Sequence, residues 1–375
     1  MNIGIDARLY GIGAQGIGRY TEMLVRGIAA QDTKNTYTVF VREGMQIQDV
    51  PPHVRVVSVA IPQYHWREQL VLPFILNRYN FDLVHFTHFN VPLLYRRPYV
   101  VTIHDLILRH FVSARVTTRS YLRFILSYAL FRVVLANLIH TAIRIITVSQ
   151  YSADDITDLY PRARGKITVI PLAAELLQVT VLPSAIIAKP YYIYVGNAYP
   201  HKNLEFLIRS FSKIIHDCPD LKLVLVGKKD VFYQRLQDWS ESQGFGFVHF
   251  FGAASDKELA SLYSHACAFV SASLYEGFGM PALEATTYGL PVIVARSSAF
   301  PEVVGDCAYF FDPNDERTCA DALLRIYTDS VLRKSMSEKS KQIPRRYSWE
   351  RTARRTVELY DIAISLYNTR SRKSK

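Results

Sequence analysis

Two glutamates eight positions apart stand in the segment of this sequence that offers most for chemistry. Glu276 and Glu284 belong to the run YEGFGMPALE at 275–284, which follows a short apolar stretch typical of a strand. A helix that begins near Pro281, a favoured first-turn residue, would carry Glu284 in its first turn and leave Glu276 in the preceding loop. Both carboxylates could then reach one ligand. The alternative is a simple turn capped by a glutamate.

The glycines of the same run suit a phosphate or a sugar. Gly277 and Gly279 leave backbone N–H groups uncovered near the N-terminus of the predicted helix, where the helix dipole favours an anion. Carboxylates there can accept hydrogen bonds from ribose or sugar hydroxyls. Paired carboxylates could also act as in glycosidases, but the surrounding glycines and the lysine Lys202 favour a phosphate-containing ligand.

A second glycine pattern lies near the N-terminus. Gly11, Gly13 and Gly16 satisfy the G-x-G-x-x-G spacing of dinucleotide-binding sites, and Glu43 follows the next strand-like segment. The predicted first strand ends at Asp6, too far ahead of these glycines for the tight turn which that motif requires. The pattern therefore does not predict a nicotinamide dinucleotide site.

Several other kinds of site are not indicated. The sequence has no D-x-D motif, no His, Asp or Cys set with metal-ligand spacing and no G-x-S-x-G motif. Cys218, Cys267, Cys307 and Cys319 stand far apart, so we predict reduced packing residues rather than a zinc site or a disulfide framework. We expect chemistry that needs neither a metal nor a cofactor.

The elements that must position these residues form an α/β pattern. Short β-rich apolar runs alternate with longer helical patterns, which predicts parallel sheets covered by helices. The predicted strands are Ile3–Asp6, Tyr37–Val41, Val54–Val59, Leu83–Phe86, Tyr99–Ile103, Arg144–Val148, Tyr191–Val195, Leu221–Val226, Val248–Phe251, Ala268–Ser271, Pro291–Ala295 and Ala308–Phe311. A chain of 375 residues, 49% of them hydrophobic, is long enough for two cores.

We predict two Rossmann-like domains, 1–172 and 173–345, and a C-terminal segment, 346–375. The boundary falls within Pro171–Pro190, which is rich in Pro and Ala and lacks periodicity. Ser348–Ile364 is predicted as a helix with a serine N-cap that returns to the N-terminal domain. Two doubly wound sheets would turn the carboxyl ends of their strands toward a shared cleft, where ligands bind in such folds.

The positive charge of the sequence is concentrated in one segment. The formal net charge is +11, and residues 106–153 contain no Asp or Glu. Arg115, Arg119 and Arg123 recur at helical spacing, which predicts a basic amphipathic helix within 115–144 that could lie on an anionic membrane. The alternative is the solvated face of an ordinary helix. Nucleic-acid binding is disfavoured, because no DNA- or RNA-binding motif accompanies the charge.

No segment indicates a membrane span. The apolar stretch Phe124–Ile146 is interrupted by Arg132, His140 and Arg144. Met1 leads directly into a predicted strand without the features of a signal peptide. We therefore expect a cytoplasmic protein, held peripherally at the inner face of the cytoplasmic membrane.

Longer runs of the sequence resemble family 4 of the retaining glycosyltransferases, which have the GT-B fold of two Rossmann-like domains facing a central cleft. The matching runs are EGFGMPALEA at 276–285, GIDARLYG at 4–11, QGIGRY at 15–20, HDL at 104–106, VGNAYPHKNL at 195–204 and GLPVIVARSSAFPEVVGD at 289–306. The run DLVHFTHFNVPLLY at 82–95 resembles most the bacterial mannosyltransferases of polysaccharide and O-antigen assembly.

The resemblance implies roles for single residues. Lys202 would neutralise the donor diphosphate, Glu284 would bind the ribose and Glu276 would lie near the sugar and its leaving group. His104 would face the anomeric region, although a core histidine is the alternative. The family often has an arginine where this sequence has Asn197. Further donor contacts would come from Gly16, Gly18, Gly196, Asn197, Gly277, Phe278, Gly279 and Met280.

The implied activity is metal-independent transfer of a hexose, best matched by mannose from GDP-mannose, to a lipid-linked glycan with retention of configuration. Acceptor contacts are expected from N-terminal loops at Trp66, His88 and Asn90, where Trp66 could stack on a sugar or only pack locally. Two other interpretations stay open: an epimerase of UDP-N-acetylglucosamine with the same fold, and a non-enzymatic basic protein that binds membranes or nucleic acid.

Overall fold

The structure, a computed structural model, describes residues 1–11, 15–63, 65–111, 121–177, 186–188 and 190–373, without the side chains of 15, 121–124 and 373. The chain divides into two units. The first comprises Met1–Leu106, Arg119–Leu172 and Ser348–Lys375, and the second comprises Ile107–Thr118 and Ala173–Tyr347. Ile107–Phe111 thus belong to the second unit, whereas the sequence had assigned them to the first domain.

The first unit is built on a sheet of seven parallel strands. In chain order these are β1 (Asn2–Asp6), β2 (Thr36–Arg42), β3 (Val54–Val59), β4 (Leu83–Phe86), β5 (Tyr99–Thr102), β6 (Arg144–Thr147) and β7 (Ile167–Val169). Their spatial order is β3-β2-β1-β4-β5-β6-β7. Because the order reverses between β1 and β4, the loops after these two strands border the crevice where such sheets bind ligands.

The second unit contains a sheet of six parallel strands. They are β8 (Tyr191–Val195), β9 (Lys222–Val226), β10 (Val248–Gly252), β11 (Ala268–Ser271), β12 (Val292–Ala295) and β13 (Ala308–Phe311), in the spatial order β10-β9-β8-β11-β12-β13. Here the reversal falls between β8 and β11, so the loops after these two strands hold the equivalent position.

Helices connect the strands of both sheets. They are α1 (Gln15–Gln31), α2 (Trp66–Leu70), α3 (Leu72–Asn77), α4 (Ile107–His110), α5 (Tyr121–Thr141), α6 (Gln150–Leu159), α7 (Leu204–Ser212), α8 (Val231–Ser242), α9 (Asp256–His265), α10 (Met280–Thr287), α11 (Phe300–Val303), α12 (Glu316–Thr328), α13 (Ser330–Ser340) and α14 (Trp349–Lys373). The alternation of strands and helices, with one reversal in each sheet, is that of a doubly wound Rossmann-like fold. The predicted fold class is thereby confirmed.

The strand predictions were accurate because the buried strands of a parallel sheet are continuous apolar runs. All twelve predicted strands are present, each with bounds within one residue of those expected. The strand β7 was not predicted, since its three residues are only half-buried and carry too short a pattern. The four cysteines are free, and Cys267 alone among them is not buried.

The last helix, α14, lies against α1 in the first unit. Ser348 caps it as predicted, accepting a hydrogen bond from the backbone N–H of Arg351 (3.1 Å). Gly27 permits the close approach, because a Cβ added there would lie 2.8 Å from the Cβ of Ala353. The helix continues to Lys373, nine residues beyond the predicted end.

The basic segment differs from the prediction. The helix α5 ends at Thr141, three residues before the end of the expected basic helix 115–144, and Arg144 begins β6 in agreement with the predicted strand Arg144–Val148. Arg115 and Arg119 lie outside the described residues, as does the side chain of Arg123. No helix in the described part of the chain is both long and apolar enough to cross a membrane.

Candidate active site

The loop after β8 is a tight turn that carries Lys202. Gly196 has φ +156°, and a Cβ there would meet the hydroxyl of Tyr194 at 2.6 Å. The neighbouring loop approaches so closely that a Cβ on Gly227 would lie 2.0 Å from the carbonyl oxygen of Gly196. A single 3₁₀ turn, Pro200–Lys202, then leads into α7. Bare backbone at Gly196 is therefore a steric requirement of this turn.

Asn197 shapes the same turn. Its Oδ1 accepts a hydrogen bond from the backbone N–H of Tyr199 (3.3 Å), and its carbonyl accepts one from the hydroxyl of Tyr194 (2.7 Å). The family that this sequence resembles often has an arginine at this position. Here Asn197 stabilises the structure of the loop instead.

Lys202 and Glu276, 74 positions apart in sequence, form an ion pair. The Lys202 Nζ lies 2.6 Å from the Glu276 Oε1, and each side chain is 13% exposed. Two hydrogen bonds fix the loops that carry them. The backbone N–H of Leu274 donates to the carbonyl of His201 (2.8 Å), and that of Glu276 donates to the Oγ of Ser298 (2.8 Å). The fold therefore brings the predicted cation and one predicted carboxylate together.

His201 directly precedes Lys202 in the sequence and is buried. Burial, and after it the neighbouring Lys202 cation, lower the pKa of His201 to about 4, with Glu276 acting in the opposite direction. Its ring contacts those of Phe111 and Tyr199. At neutral pH the imidazole is uncharged, so the positive charge of this loop resides on Lys202.

The helix α10 starts at a left-handed glycine. Gly279, with φ +86°, is its N-cap, and a Cβ there would lie 2.7 Å from the ring of Phe300. The helix begins at Met280, one residue before Pro281, so Glu284 lies just beyond the first turn rather than within it. The predicted contacts 277–280 occupy the loop and the helix start between the two glutamates.

Glu284 is held by a tyrosine. The hydroxyl of Tyr263, a fully buried residue of α9, donates to the Glu284 Oε2 (3.2 Å). Tyr263 in turn stacks on Tyr288 with ring centroids 5.3 Å apart. Phe278 is buried with its ring 5.6 Å from that of Tyr347, so only its backbone is suited to a ligand contact.

A cavity of about 720 Å³ in the second unit contains none of the predicted donor residues. It is bordered by three exposed cations, Arg296, Lys339 and Arg346, and by the edge strand β13. Arg296 lies over the ring of Phe310 at 4.5 Å. The polar chemistry of the unit is instead concentrated at the ends of β8 and β11.

In the first unit, His104 follows β5 as expected and is buried. Its Nε2 lies 3.1 Å from the carbonyl oxygen of Thr87 and donates to it in the neutral tautomer, which leaves Nδ1 as an acceptor. Burial lowers the pKa of His104 to about 4, and the hydrogen bond to Thr87 acts more weakly in the opposite direction. The ring also meets the edge of Tyr20 at 4.6 Å.

A buried hydrogen-bond chain supports this histidine, and it was not predicted from the sequence. The Nδ1 of His85 lies 2.7 Å from the hydroxyl of Tyr360, and its Nε2 lies 2.9 Å from the Oγ1 of Thr102. Thr102 continues the chain to the hydroxyl of Tyr20 (2.9 Å). In the sequence, only the position of His85 within the apolar run of β4 pointed to it, and a histidine there is equally consistent with simple core packing.

A buried ion triad follows β1, and it too was missed. The Nε and Nη2 of Arg8 donate to the two carboxylate oxygens of Asp6 (2.8 and 2.7 Å), and Nη2 also donates to the Oε1 of Glu68 (2.5 Å). The side chains of Arg8 and Glu68 are each 2% exposed. The proximity of Asp6 and Arg8 after a strand was visible in the sequence, but Glu68 on α2 was not.

The predicted acceptor residues separate in the structure. His88 and Asn90 lie together in the loop after β4, and the ring of His88 is 6.2 Å from that of His104. Trp66 is 64% exposed on α2, with its ring 5.4 Å from that of His65. Of the three residues, His88 thus lies near His104, and Asn90 lies beside His88.

Gly16 and Gly18 lie in the first turn of α1, and the carbonyl of Gly18 accepts a hydrogen bond from Gly11 (3.3 Å). Gly13 of the dinucleotide-like pattern lies outside the described residues. The strand β1 ends at Asp6, so the glycines of this pattern do not follow the strand directly, as a dinucleotide-binding turn would require. Among the described residues there is no cluster of three His, Cys, Asp or Glu side chains that could hold a metal ion.

Two family models match the chain, one in each half. Residues 14–176 match Glycosyltransferase Family 4, and residues 186–343 match Glycosyl transferases group 1. The chain is 30% identical over 270 residues to the O-antigen chain mannosyltransferase RfbU of Salmonella typhimurium, with 70% of each chain covered. It is 28% identical over 232 residues to the O-antigen chain mannosyltransferase B of Escherichia coli, covering 58% of this chain and 60% of that relative.

Solved structures share the fold over nearly the whole chain. Sucrose-phosphate synthase from Thermosynechococcus elongatus has a TM-score of 0.78 at 21% identity, covering 98% of this chain and all of that one. HepE from Anabaena, solved in complex with UDP and glucose, has a TM-score of 0.70 at 17% identity, covering 96% of this chain and 99% of that one. At these identities the likeness establishes the GT-B fold alone.

Proposed function

This chain belongs to glycosyltransferase family 4, and we propose that it transfers mannose from GDP-mannose to a lipid-linked glycan during the synthesis of a cell-surface polysaccharide. The observation that carries the proposal is the Lys202–Glu276 pair beside the N-terminus of α10. A departing diphosphate gains negative charge as the glycosidic bond breaks, and a fixed ammonium next to it stabilises that charge.

The second unit supplies the donor contacts in this proposal. Lys202 binds the diphosphate in place of a divalent cation, so transfer proceeds without a metal. Glu284, oriented by Tyr263, accepts hydrogen bonds from the ribose hydroxyls. Backbone amides of 277–280 hold sugar hydroxyls, since Gly277 and Gly279 keep that backbone bare and the start of α10 adds the favourable end of a helix dipole. Gly196 and Asn197 complete the phosphate turn.

The first unit supplies His104. Its neutral imidazole, with the Nε2–H held by Thr87, presents Nδ1 as an acceptor for a sugar hydroxyl. A cation there would oppose the positive charge of an oxocarbenium-like transition state, so the lowered pKa of His104 suits the reaction. We propose retention of configuration, with the acceptor attacking from the face that the diphosphate leaves. Gly16 and Gly18 provide an additional phosphate contact at the start of α1.

The choice of mannose and GDP comes from the relatives. Two curated relatives are named O-antigen chain mannosyltransferases, and another is an α-(1→4)-mannosyltransferase from Mycolicibacterium hassiacum, 30% identical over 59% of this chain. Their names also support a glycan acceptor. HepE from Anabaena, a neighbour with the same fold, was also solved in complex with UDP-glucose, so the base of the donor must be tested directly.

We further propose that the protein works on the cytoplasmic side of the membrane, attached through α5. Ile125, Leu126, Leu130 and Val133 of this helix are between 42 and 62% exposed. Arg132 of the same helix is exposed as well. Exposed apolar side chains beside a cation favour the membrane interface. Replacing Leu126 and Leu130 by Glu should reduce co-sedimentation with vesicles that contain anionic lipid. Val331→Glu on α13, 79% exposed, is the control; equal binding of both variants would contradict attachment through α5.

Calorimetry with GDP, UDP and ADP tests the donor. We expect GDP to bind most tightly, and Lys202→Ala and Glu284→Ala each to weaken it by about 10- to 100-fold, the loss of one charge-assisted hydrogen bond. Lys213→Ala, which removes an exposed lysine of the same unit, is the control. GDP-mannose turnover should be lost in the first two variants while circular dichroism shows an intact fold. Absence of any nucleotide binding to the unaltered chain, or full activity in either variant, would refute the proposal.

A further inference from the structure

The first unit contains a small recess next to His104, at the reversal point of its sheet. Thr87, whose carbonyl accepts the His104 hydrogen bond, is part of its wall. The polar side chains around it are Asp6, Arg8, Gln63, Glu68, His88 and Asn90. Its volume is about 10 Å³, the room of a single water molecule or hydroxyl group.

A wider cavity adjoins the recess. It has a volume of about 330 Å³, and Arg8, Leu9 and Gln63 line both spaces. Ligand pockets begin at roughly 300 Å³, so the cavity can take one sugar ring while the recess takes a single hydroxyl.

Two donors of the recess have no partner in the described part of the chain. The Nη1 of Arg8 and the Nδ2 of Asn90 are inaccessible to solvent and make no hydrogen bond within it. The other donors of Arg8 are occupied by Asp6 and Glu68, which fix the guanidinium plane. An unsatisfied buried donor costs about 1–3 kcal/mol, so each of these groups needs a partner, which an ordered water or the hydroxyl of a ligand can supply.

The charges around the two spaces decide which ligand fits. Arg8 and Arg42 contribute two positive charges, and Asp6 and Glu68 contribute two negative ones. The sum is zero, so a phosphate would bring an uncompensated negative charge next to two carboxylates. A sugar hydroxyl can accept from Arg8 or Asn90 and donate to a carboxylate or amide oxygen, which matches the mixed lining.

We propose that the recess and the adjoining cavity bind a neutral sugar, the glycan unit that accepts the transferred hexose. Arg8 is a specificity-determining residue in this proposal, positioned by Asp6 and Glu68. The identification of the sugar as acceptor rests on the proposed function. The presence of a sugar site does not, because it follows from the first unit alone.

Ligand-observed NMR on the full chain tests the site. The probes are methyl α-mannopyranoside, methyl α-glucopyranoside and inorganic phosphate. We expect at least one glycoside to bind more tightly than phosphate. Asn90→Ala should raise its dissociation constant by about 3- to 10-fold, and Arg8→Lys by about 10-fold or more, since each removes a buried donor. Asn77→Ala, an exposed asparagine of the same unit, should leave it unchanged.

Nucleotide binding, measured on the same samples, separates the two proposals. All three variants should bind GDP within about twofold of the unaltered chain, because their residues lie in the first unit. If no nucleotide binds but a glycoside does and Asn90→Ala weakens it, the proposed function fails and the sugar site stands.

Three results would overturn the sugar site: no glycoside binding, equal binding by Asn90→Ala, or tighter binding of phosphate that Arg8→Lys abolishes. Should Arg8→Lys fail to fold, the Asn90→Ala titration decides alone.

Discussion

Each unit places an ion pair after the first strand of its sheet, beside the reversal of strand order, and the two pairs differ in exposure. In the first unit Arg8 follows β1 and is 2% exposed between Asp6 and Glu68. In the second unit Lys202 lies in the loop that follows β8, paired with Glu276, and both are 13% exposed. The same topology thus holds one cation neutralised by two buried carboxylates and one cation whose carboxylate partner is partly exposed.

The difference shows that the number of carboxylate partners decides whether the charge of a cation remains available to an anionic ligand. Burial opposes the charged form of Arg8, but the attraction and hydrogen bonds of Asp6 and then Glu68 outweigh it and raise its pKa. That cation is compensated within the protein. Among the residues that the structure describes, Lys202 has Glu276 as its one carboxylate partner, and it is partly open to solvent, so its charge can bind a phosphate.

The buried triad should show the largest effect on stability. Glu68→Ala should lower the free energy of unfolding by about 3–5 kcal/mol, because it leaves Arg8 buried with one partner fewer. Denaturant titration measures this. Glu22→Ala, which removes an exposed pair with Arg26, should cost less than about 1 kcal/mol. Similar losses in both variants would show that the triad is not structural.

The Lys202–Glu276 pair should behave in the opposite way. Glu276→Gln should slow sugar transfer by about 100- to 1,000-fold, because it removes a negative charge expected beside the sugar, which becomes oxocarbenium-like and positive in the proposed transition state. Its free energy of unfolding should change far less than that of Glu68→Ala. Glu338→Gln, in an exposed pair with Lys341, is the matched control. If Glu276→Gln lowered the free energy of unfolding without slowing sugar transfer, the proposed difference between the two ion pairs would be wrong.

The start of α10 should be sensitive to backbone strain. Gly279→Ala should destabilise the second unit by about 1–3 kcal/mol, since its φ of +86° strains any side chain and the ring of Phe300 crowds the new Cβ. Gly244→Ala also has a positive φ, +71°, but nothing within 4 Å of the added Cβ. Thermal unfolding of both variants separates crowding from strain, and equal losses would rule out the crowding by Phe300.

The two units should also differ in acid sensitivity. Burial lowers the pKa values of His85 and His88 to about 3 and that of His104 to about 4, whereas the second unit has His201 at about 4. Below pH 6.5 these histidines become protonated in the unfolded chain but remain neutral in the folded protein. The free energy of unfolding therefore falls as pH falls toward 4, by at most about 1.4 kcal/mol per pH unit for each histidine.

Hydrogen exchange at pH 7 and pH 5, corrected for intrinsic rates, can measure this difference in each unit. We expect β4 and β5 to lose more protection than β9 and β11. Equal losses in the two units would contradict a special role for the three histidines.

Much of the fold was predictable from sequence because it depends on local patterns. Parallel strands such as Leu83–Phe86 are buried on both faces and appear as apolar runs, and Ser348 marks the start of α14. The start of α10 at Met280 agrees with the prediction of a helix that begins near Pro281, whereas the left-handed cap at Gly279 was not predicted, because its neighbours in sequence do not specify it. The strand β7 was not predictable, because its three residues are only half-buried and form no recognisable apolar run.

The amino-acid sequence by itself determined the two Rossmann-like sheets, the family and the residue types near the strand ends, since these follow from periodicity and motifs along the chain. Tertiary structure alone decided which charges meet. Glu68 reaches Arg8 across 60 positions, Glu276 reaches Lys202 across 74, and Tyr360 reaches His85 across 275. Such contacts cannot be recognised in the sequence. A charge or polar group needs a protein partner only once it is buried away from water, and only the packed chain determines which groups are buried together.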